Sequence, residues 1–201
     1  MAETPAPFPT PEFDWSLVEV PTALAMVRGQ LGFSWSVLAQ RLATLTQDEL
    51  DWEPGPDALR VVRRGQERSR RVVGAGQWVA EWPAGEDSSQ PRTIGWLVAH
   101  LTEAFFDRWE WTFGEHRRRR DDVEPSGEVG PAVAGLVAQV TAWRAAVDVL
   151  DDDAVFTVGL SQAEEVDKVA PFGHLVLHMN RELIHHGAEI MVLQDLHRAR
   201  A

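Results

Sequence analysis

Apolar residues along the chain fall into four long stretches with helical spacing and one stretch without it. Leu24, Val27, Leu31, Trp35, Leu38, Leu42 and Leu45 recur at intervals of three and four, the repeat that lays an apolar face along an α-helix. This first helix is predicted over 21–43, with Pro21 in the first turn, where its missing N–H costs nothing. Thr46-Gln47-Asp48-Glu49 reads as the N-cap of a short turn that Pro54-Gly55-Pro56 ends. Thr93 opens the second long helix, with Ile94, Leu97, Leu101, Phe105 and Trp109 on one stripe and Gly114 at the stop position. Pro131 opens a third, carrying Val133, Leu136, Val140, Trp143 and Val147, with Asp151-Asp152-Asp153 as a solvated cap. The fourth runs over 171–198.

Between the first and second helices the helical period is lost. Alternation in Leu59-Arg60-Val61-Val62-Arg63 and in Gln77-Trp78-Val79-Ala80-Glu81-Trp82 predicts a small two-stranded excursion or an ordered loop. Residues 115–130 are charged and longer than a tight helix hairpin needs, so the third helix can run parallel to the second. Within them Arg117 to Arg120 is followed by Asp121, Asp122 and Glu124, and reads as a solvated loop. Residues 155–169 read as a polar connector anchored by Phe156 and Leu160. The fold class is therefore all-α: a four-helix bundle with a small irregular or β excursion between helices one and two.

Composition narrows the function. A chain of 201 residues, 44% hydrophobic, suits one domain, here 1–201 with residues 1–16 as a proline-rich extension. Its formal net charge of −12 argues against nucleic acid as a partner, because phosphate neutralisation dominates that affinity. There is no cysteine, which excludes disulfides, thiolate ligands and a cysteine nucleophile. The N-terminus lacks the pattern of a signal peptide and no uninterrupted apolar run is long enough to span a membrane, so a cytoplasmic location is expected.

The candidate chemistry sits on the fourth helix. His174, His178, Glu182 and His186 follow one another at intervals of four, so neighbours project from one face about one turn, ~5.4 Å, apart. The outer two are ~18 Å apart at ~1.5 Å per residue and cannot share an ion. The pairs Glu182 with His186 and His178 with Glu182 are the feasible two-ligand sets, and His185 competes for Glu182 from three residues away. Either pair also reads as hydrogen-bonded packing between helices. His100, on the second helix beside Trp96, Glu103 and Asp107, is a core residue or the third ligand. Two histidines and a glutamate with open positions are what a catalytic divalent ion requires.

Thr93-Ile94-Gly95-Trp96-Leu97-Val98-Ala99-His100-Leu101, the segment His178 to Ile190 and the ending Leu193-Gln194-Asp195-Leu196 together resemble the DinB-like superfamily of metalloenzymes. The resemblance implies an up-down-down-up bundle, often dimeric, with one divalent ion held by a histidine of the second helix and a pair four apart on the last. By position these ligands fall on His100, Glu182 and His186. Many members have histidine where Glu182 stands. The carboxylate resembles the branch of mycothiol-dependent maleylpyruvate isomerase, whose N-terminal domain this sequence resembles, and the resemblance favours zinc over nickel.

Two functions are expected from this. One is a metal-dependent transferase or isomerase in which the ion activates a low-molecular-weight thiol against a small electrophilic substrate. The other is a non-catalytic metal- or ligand-binding bundle. His185, Glu103 and Glu189 are candidates for orienting the ligands, His178 or His185 for a fourth ligand, and Trp96 and Phe105 for pocket walls. A homodimer, with no nucleic-acid or membrane partner, completes the expectation.

Overall fold

The computed structural model describes residues 22–83 and 89–200. The expected extension 1–16 and the placement of Pro21 lie outside the described residues. Among the described residues five α-helices are formed, α1 (Ala23–Leu42), α2 (Gln47–Asp51), α3 (Ile94–Glu110), α4 (Val129–Asp148) and α5 (Phe172–Arg198), with strands β1 (Val61–Arg63), β2 (Arg71–Val73) and β3 (Trp78–Trp82) between α2 and α3. Three starts are set by threonine. Thr22, Thr46 and Thr93 each turn a side-chain oxygen onto the backbone N–H three residues on, satisfying donors that a helix leaves free at its first turn. At Thr46 the Glu49 carboxylate returns the bond, completing a capping box.

Contacts between helices fix their directions. Asn180 of α5 bonds the Val27 carbonyl at 2.9 Å, and Arg41 reaches the Met191 carbonyl at 3.0 Å, so α1 and α5 run parallel. Val98, Ala99 and Thr102 of α3 meet Pro131, Ala132 and Gly135 of α4, while Phe105 and Phe113 meet Trp143 further along. Helices α3 and α4 are therefore parallel too. Arg92, just before α3, pairs with Glu189, and Phe113, just after it, packs on Phe172; α3 is antiparallel to α5. The result is an up-down-down-up bundle, and the long 115–130 connection is what lets two consecutive helices point the same way.

The core is continuous from Leu24 and Leu38 of α1 through Leu97, Leu101 and Phe105 of α3 and Leu136, Val140 and Trp143 of α4 to Leu175, Met179 and Leu183 of α5. Phe105 is fully buried beside Trp143, ring centroids 6.2 Å apart. That corrects its reading as a pocket wall: it shares the stripe of Leu97 and Leu101, which faces α4. Phe156 is also corrected, since it is exposed while its neighbour Val155 is buried. The aspartate run after α4 stays exposed, and its first member, Asp151, caps a 3-10 turn over Asp152–Phe156.

Among the described residues the excursion has three strands rather than two. They are antiparallel in the order β1-β3-β2, with Val62 opposite Val79 and Val72 opposite Glu81. Only three residues form β2, Arg71–Val73, too short to leave a visible alternation. Glu81 is buried and bonds the Arg60 and Arg68 backbone N–H groups, while its carbonyl accepts the Trp96 indole N–H. That last bond fastens the sheet to α3 and sets Trp82 beside the polar stripe of the bundle.

Candidate metal centre

Helices α3 and α5 bring His100, Glu182 and His186 together, although His100 and Glu182 are 82 positions apart in sequence. Their ligand atoms all lie within 4.8 Å of one another, and among the described residues this is the group of histidines and acids that could hold an ion. His100 Nε2 and His186 Nε2 each lie 3.3 Å from the same oxygen, Oε2 of Glu182. The imidazole rings meet edge to face at 4.7 Å. Antiparallel packing produces this: His100 on α3 faces the turn of α5 that carries residues 182 and 186 on one side.

The outer nitrogens are engaged as well. His100 Nδ1 lies 3.0 Å from Glu103 Oε1 and His186 Nδ1 3.3 Å from Glu189 Oε2, both carboxylates three residues on along the same helix. Such a partner fixes ring orientation and leaves the inner nitrogen free as a ligand. Beyond each carboxylate stands an arginine. Arg92 Nε bonds Glu189 at 3.0 Å, and Arg120 Nε lies 3.7 Å from Glu103 Oε2. Trp96 stacks on His100 at 5.2 Å, and Trp82 approaches from the sheet at 5.8 Å.

Charge is set by this packing. Burial works against protonating His100, but the carboxylates of Glu103 and Glu182 outweigh it and push the imidazole up to about 9. His186 is raised in the same way, burial being overcome by Glu182 and Glu189. Glu182 is held well below the usual carboxylate range: its burial is outweighed by His100, His186 and Arg181. Each imidazole thus lies between two carboxylates, surroundings that favour positive charge on the rings.

The remaining candidates fall around this centre. His178 faces the other oxygen of Glu182, with Nε2 at 3.8 Å from Oε1, and burial lowers its pKa. His185 is exposed and stacks on His186 at 5.0 Å. His174 is exposed on the far turn. Arg181 bonds both Glu182 Oε1 and His178 Nδ1.

The basic run needs an addition to its sequence reading. Arg117, Arg118 and Arg119 are exposed as expected, but Arg118, Arg119 and Arg120 also pair in turn with Glu110, Asp107 and Glu103 of α3, at 3.8, 3.8 and 3.7 Å, so the run lies along the acidic stripe of that helix and Arg120 is half-buried against it. Sequence reasoning missed Trp82, Arg92 and Arg120. The only signal was indirect: α3 carries acids at 103, 107 and 110, and four consecutive arginines come after it.

A four-helix bundle with two imidazoles closed on one carboxylate across facing helices defines a class of protein whose site could hold a metal ion. The chain belongs to the DinB superfamily, whose family model matches residues 30–190, a span that includes all three residues. No curated protein and no solved structure matched the chain.

Proposed function

We propose that His100, Glu182 and His186 bind one divalent metal ion, zinc in first place and nickel as the alternative, and that the protein uses it to activate a low-molecular-weight thiol such as mycothiol for transfer to a small electrophilic substrate. The observation that carries this reading is the convergence of both Nε2 atoms on one oxygen of Glu182 while both Nδ1 atoms are engaged by carboxylates. Two imidazoles and one carboxylate suit zinc or nickel better than the oxygen-seeking magnesium or calcium. Three protein donors leave room for a water or a ligand, the hallmark of a catalytic site. When bound, the ion would supply the positive charge that lowers the pKa of a coordinated thiol. With no cysteine in the chain, that thiol comes from outside.

The chain's own residues would orient and screen. Trp82 and Trp96 shield one side of His100, which lowers the local dielectric and strengthens the charges inside. His178 and Arg181 stand on the solvent side of Glu182 and offer N–H donors to an anionic group of a substrate. A homodimer belongs to the same proposal, with exposed apolar residues of α1 and α5 such as Met26 and Leu177 as the surface to be covered. The second reading, a non-catalytic bundle whose ion ties α3 to α5, is favoured by one feature: His178 is near enough to Glu182 to serve as a fourth ligand.

Elemental analysis of untagged protein purified without chelator tests the site. Near-stoichiometric zinc or nickel is expected in the parent, and its loss in His100→Ala, Glu182→Ala and His186→Ala. Metal surviving all three changes would end the proposal. In cobalt-loaded protein, a sulfur-to-metal charge-transfer band on adding a thiol supports the catalytic reading, and its absence supports the closed, structural one.

A further inference from the structure

We propose that Arg120 is a positioning residue of the metal centre: it holds Glu103 and Trp82, two of the side chains that orient His100, and so keeps the His100 Nε2 atom aimed at Glu182. The inference rests on the proposed metal site. Arg120 stands in a short 3-10 turn, Arg120–Asp122, of the segment that joins α3 to α4. From there its Nε lies 3.7 Å from Glu103 Oε2, its guanidinium 5.8 Å from the Trp82 ring, and its Nη2 3.4 Å from Glu164 Oε1.

Glu103 is the residue that needs the arginine. Its side chain is only 4% exposed. One oxygen serves His100, and the other has no hydrogen-bond partner. A buried carboxylate in that state is costly unless a cation stands close by, and Arg120 is the cation placed there. Removing it would leave Glu103 free to rotate toward solvent, taking with it the anchor of His100 Nδ1. Trp82 adds a second link, because its ring lies against both His100 and Trp96.

The second histidine repeats the arrangement. His186 is held by Glu189, Glu189 by Arg92, and Arg92 lies 5.9 Å over Trp96, the ring stacked on His100. Each imidazole is thus backed by a carboxylate and an arginine, and each arginine lies by a tryptophan of the centre. The arms differ in how they are carried. Arg92 immediately precedes α3, whereas Arg120 is delivered by a separate segment, stepped into place by the Arg118–Glu110 and Arg119–Asp107 pairs. This gives the basic run a purpose that its net charge alone does not suggest.

The test is zinc affinity of the full chain, measured by competition with a chromophoric chelator, for the parent, Arg120→Gln, Arg120→Lys, Glu103→Gln and the double variant Arg120→Gln/Glu103→Gln. Loss of an outer partner typically weakens metal binding by ~10–100-fold, and that loss is expected for Arg120→Gln and for Glu103→Gln. Arg120→Lys, which keeps the charge but not the planar fork, should fall between them and the parent. The double variant should bind as Glu103→Gln does, because Arg120 acts through Glu103. The cobalt d–d spectrum should shift in Arg120→Gln, a change that a merely structural role would not produce.

Equal affinity of Arg120→Gln and parent, or fully additive losses in the double variant, overturns the inference while leaving the metal site intact. A parent chain that takes up no zinc overturns the metal reading and this inference together. Should circular dichroism show Arg120→Gln unfolded, Arg120→Lys and Glu103→Gln decide: parent-like affinity in both overturns the inference.

Discussion

Helix α3 has two working faces, and they obey opposite rules. Toward α4 it presents Leu97, Leu101 and Phe105, fully buried against Leu136, Val140 and Trp143. Toward α5 and the arginine segment it presents His100, Glu103, Asp107 and Glu110, of which the three acids are almost as deeply buried. The first face gains stability from area removed from water. The second places charges where water is scarce, and each has partners brought to it: Glu182 to His100, Arg120 to Glu103, Arg108 and Arg119 to Asp107, and Arg118 with the backbone N–H groups of Arg117 and Arg118 to Glu110. Burial even so raises the Asp107 carboxyl above its ordinary value, against the pull of Arg108, Arg120 and Arg119. A face of this kind is a poor route to stability, and a good one to a site whose geometry does not drift.

The sharpest way to separate the faces is a pair of substitutions. His186→Ala or Glu182→Gln should abolish stoichiometric zinc uptake while leaving the circular dichroism spectrum of the metal-free chain unchanged; retained uptake would show that the polar face does not form the centre. Trp143→Ala should do the reverse. Emptying that volume in the α3–α4 core is expected to cost ~3–5 kcal/mol of unfolding free energy, read from urea denaturation, with zinc affinity of the folded fraction unchanged.

Proton linkage gives a smaller, graded effect. Because the folded His100 is raised to about 9, its contribution to the metal-free chain is complete below the ordinary histidine value of ~6.5 and is lost as pH rises through 9. The melting temperature of the metal-free chain should therefore fall across that window. Zinc must displace the same proton, so zinc affinity should climb with pH up to about 9, and titration calorimetry in buffers of different ionisation enthalpy should register proton release. A flat profile would mean that the two inner nitrogens are not held as Glu182 holds them here. The smallest effect is expected at the start of the helix. Thr93→Ala removes the cap of α3 at ~1 kcal/mol, with unchanged zinc affinity, since the cap sets where α3 starts and not which face meets α5.

Much of the architecture was legible because it is local. The three-four repeats marked the four long helices to within a few residues, Thr46 and Thr93 announced their own caps, and the length of 115–130 anticipated two parallel helices in succession. His178, Glu182 and His186 were visible as a stripe for the same reason. The misreadings were not local. Phe105 reads as a pocket wall from its aromatic side chain alone, and periodicity says which residues share a face but not which neighbour covers it. The arginines are exposed as read, but their pairing with α3 escaped because the acids lie on the helix before them, and Trp82 looked like an ordinary strand residue.

What the sequence determined by itself was the helices, their caps and the amphipathic faces, since spacing, capping chemistry and helix period act within a few residues of each other. What only the tertiary structure decided was which faces meet. The antiparallel packing of α3 on α5 chose Glu182 for His100, with Oε2 shared between His100 and His186 and Oε1 left to His178 and Arg181. The return of the chain after α3 chose Arg120 for Glu103. These choices depend on burial: a charge far along the chain becomes a specific partner only once both groups have left water, where opposite charges attract strongly and an unpaired one is costly.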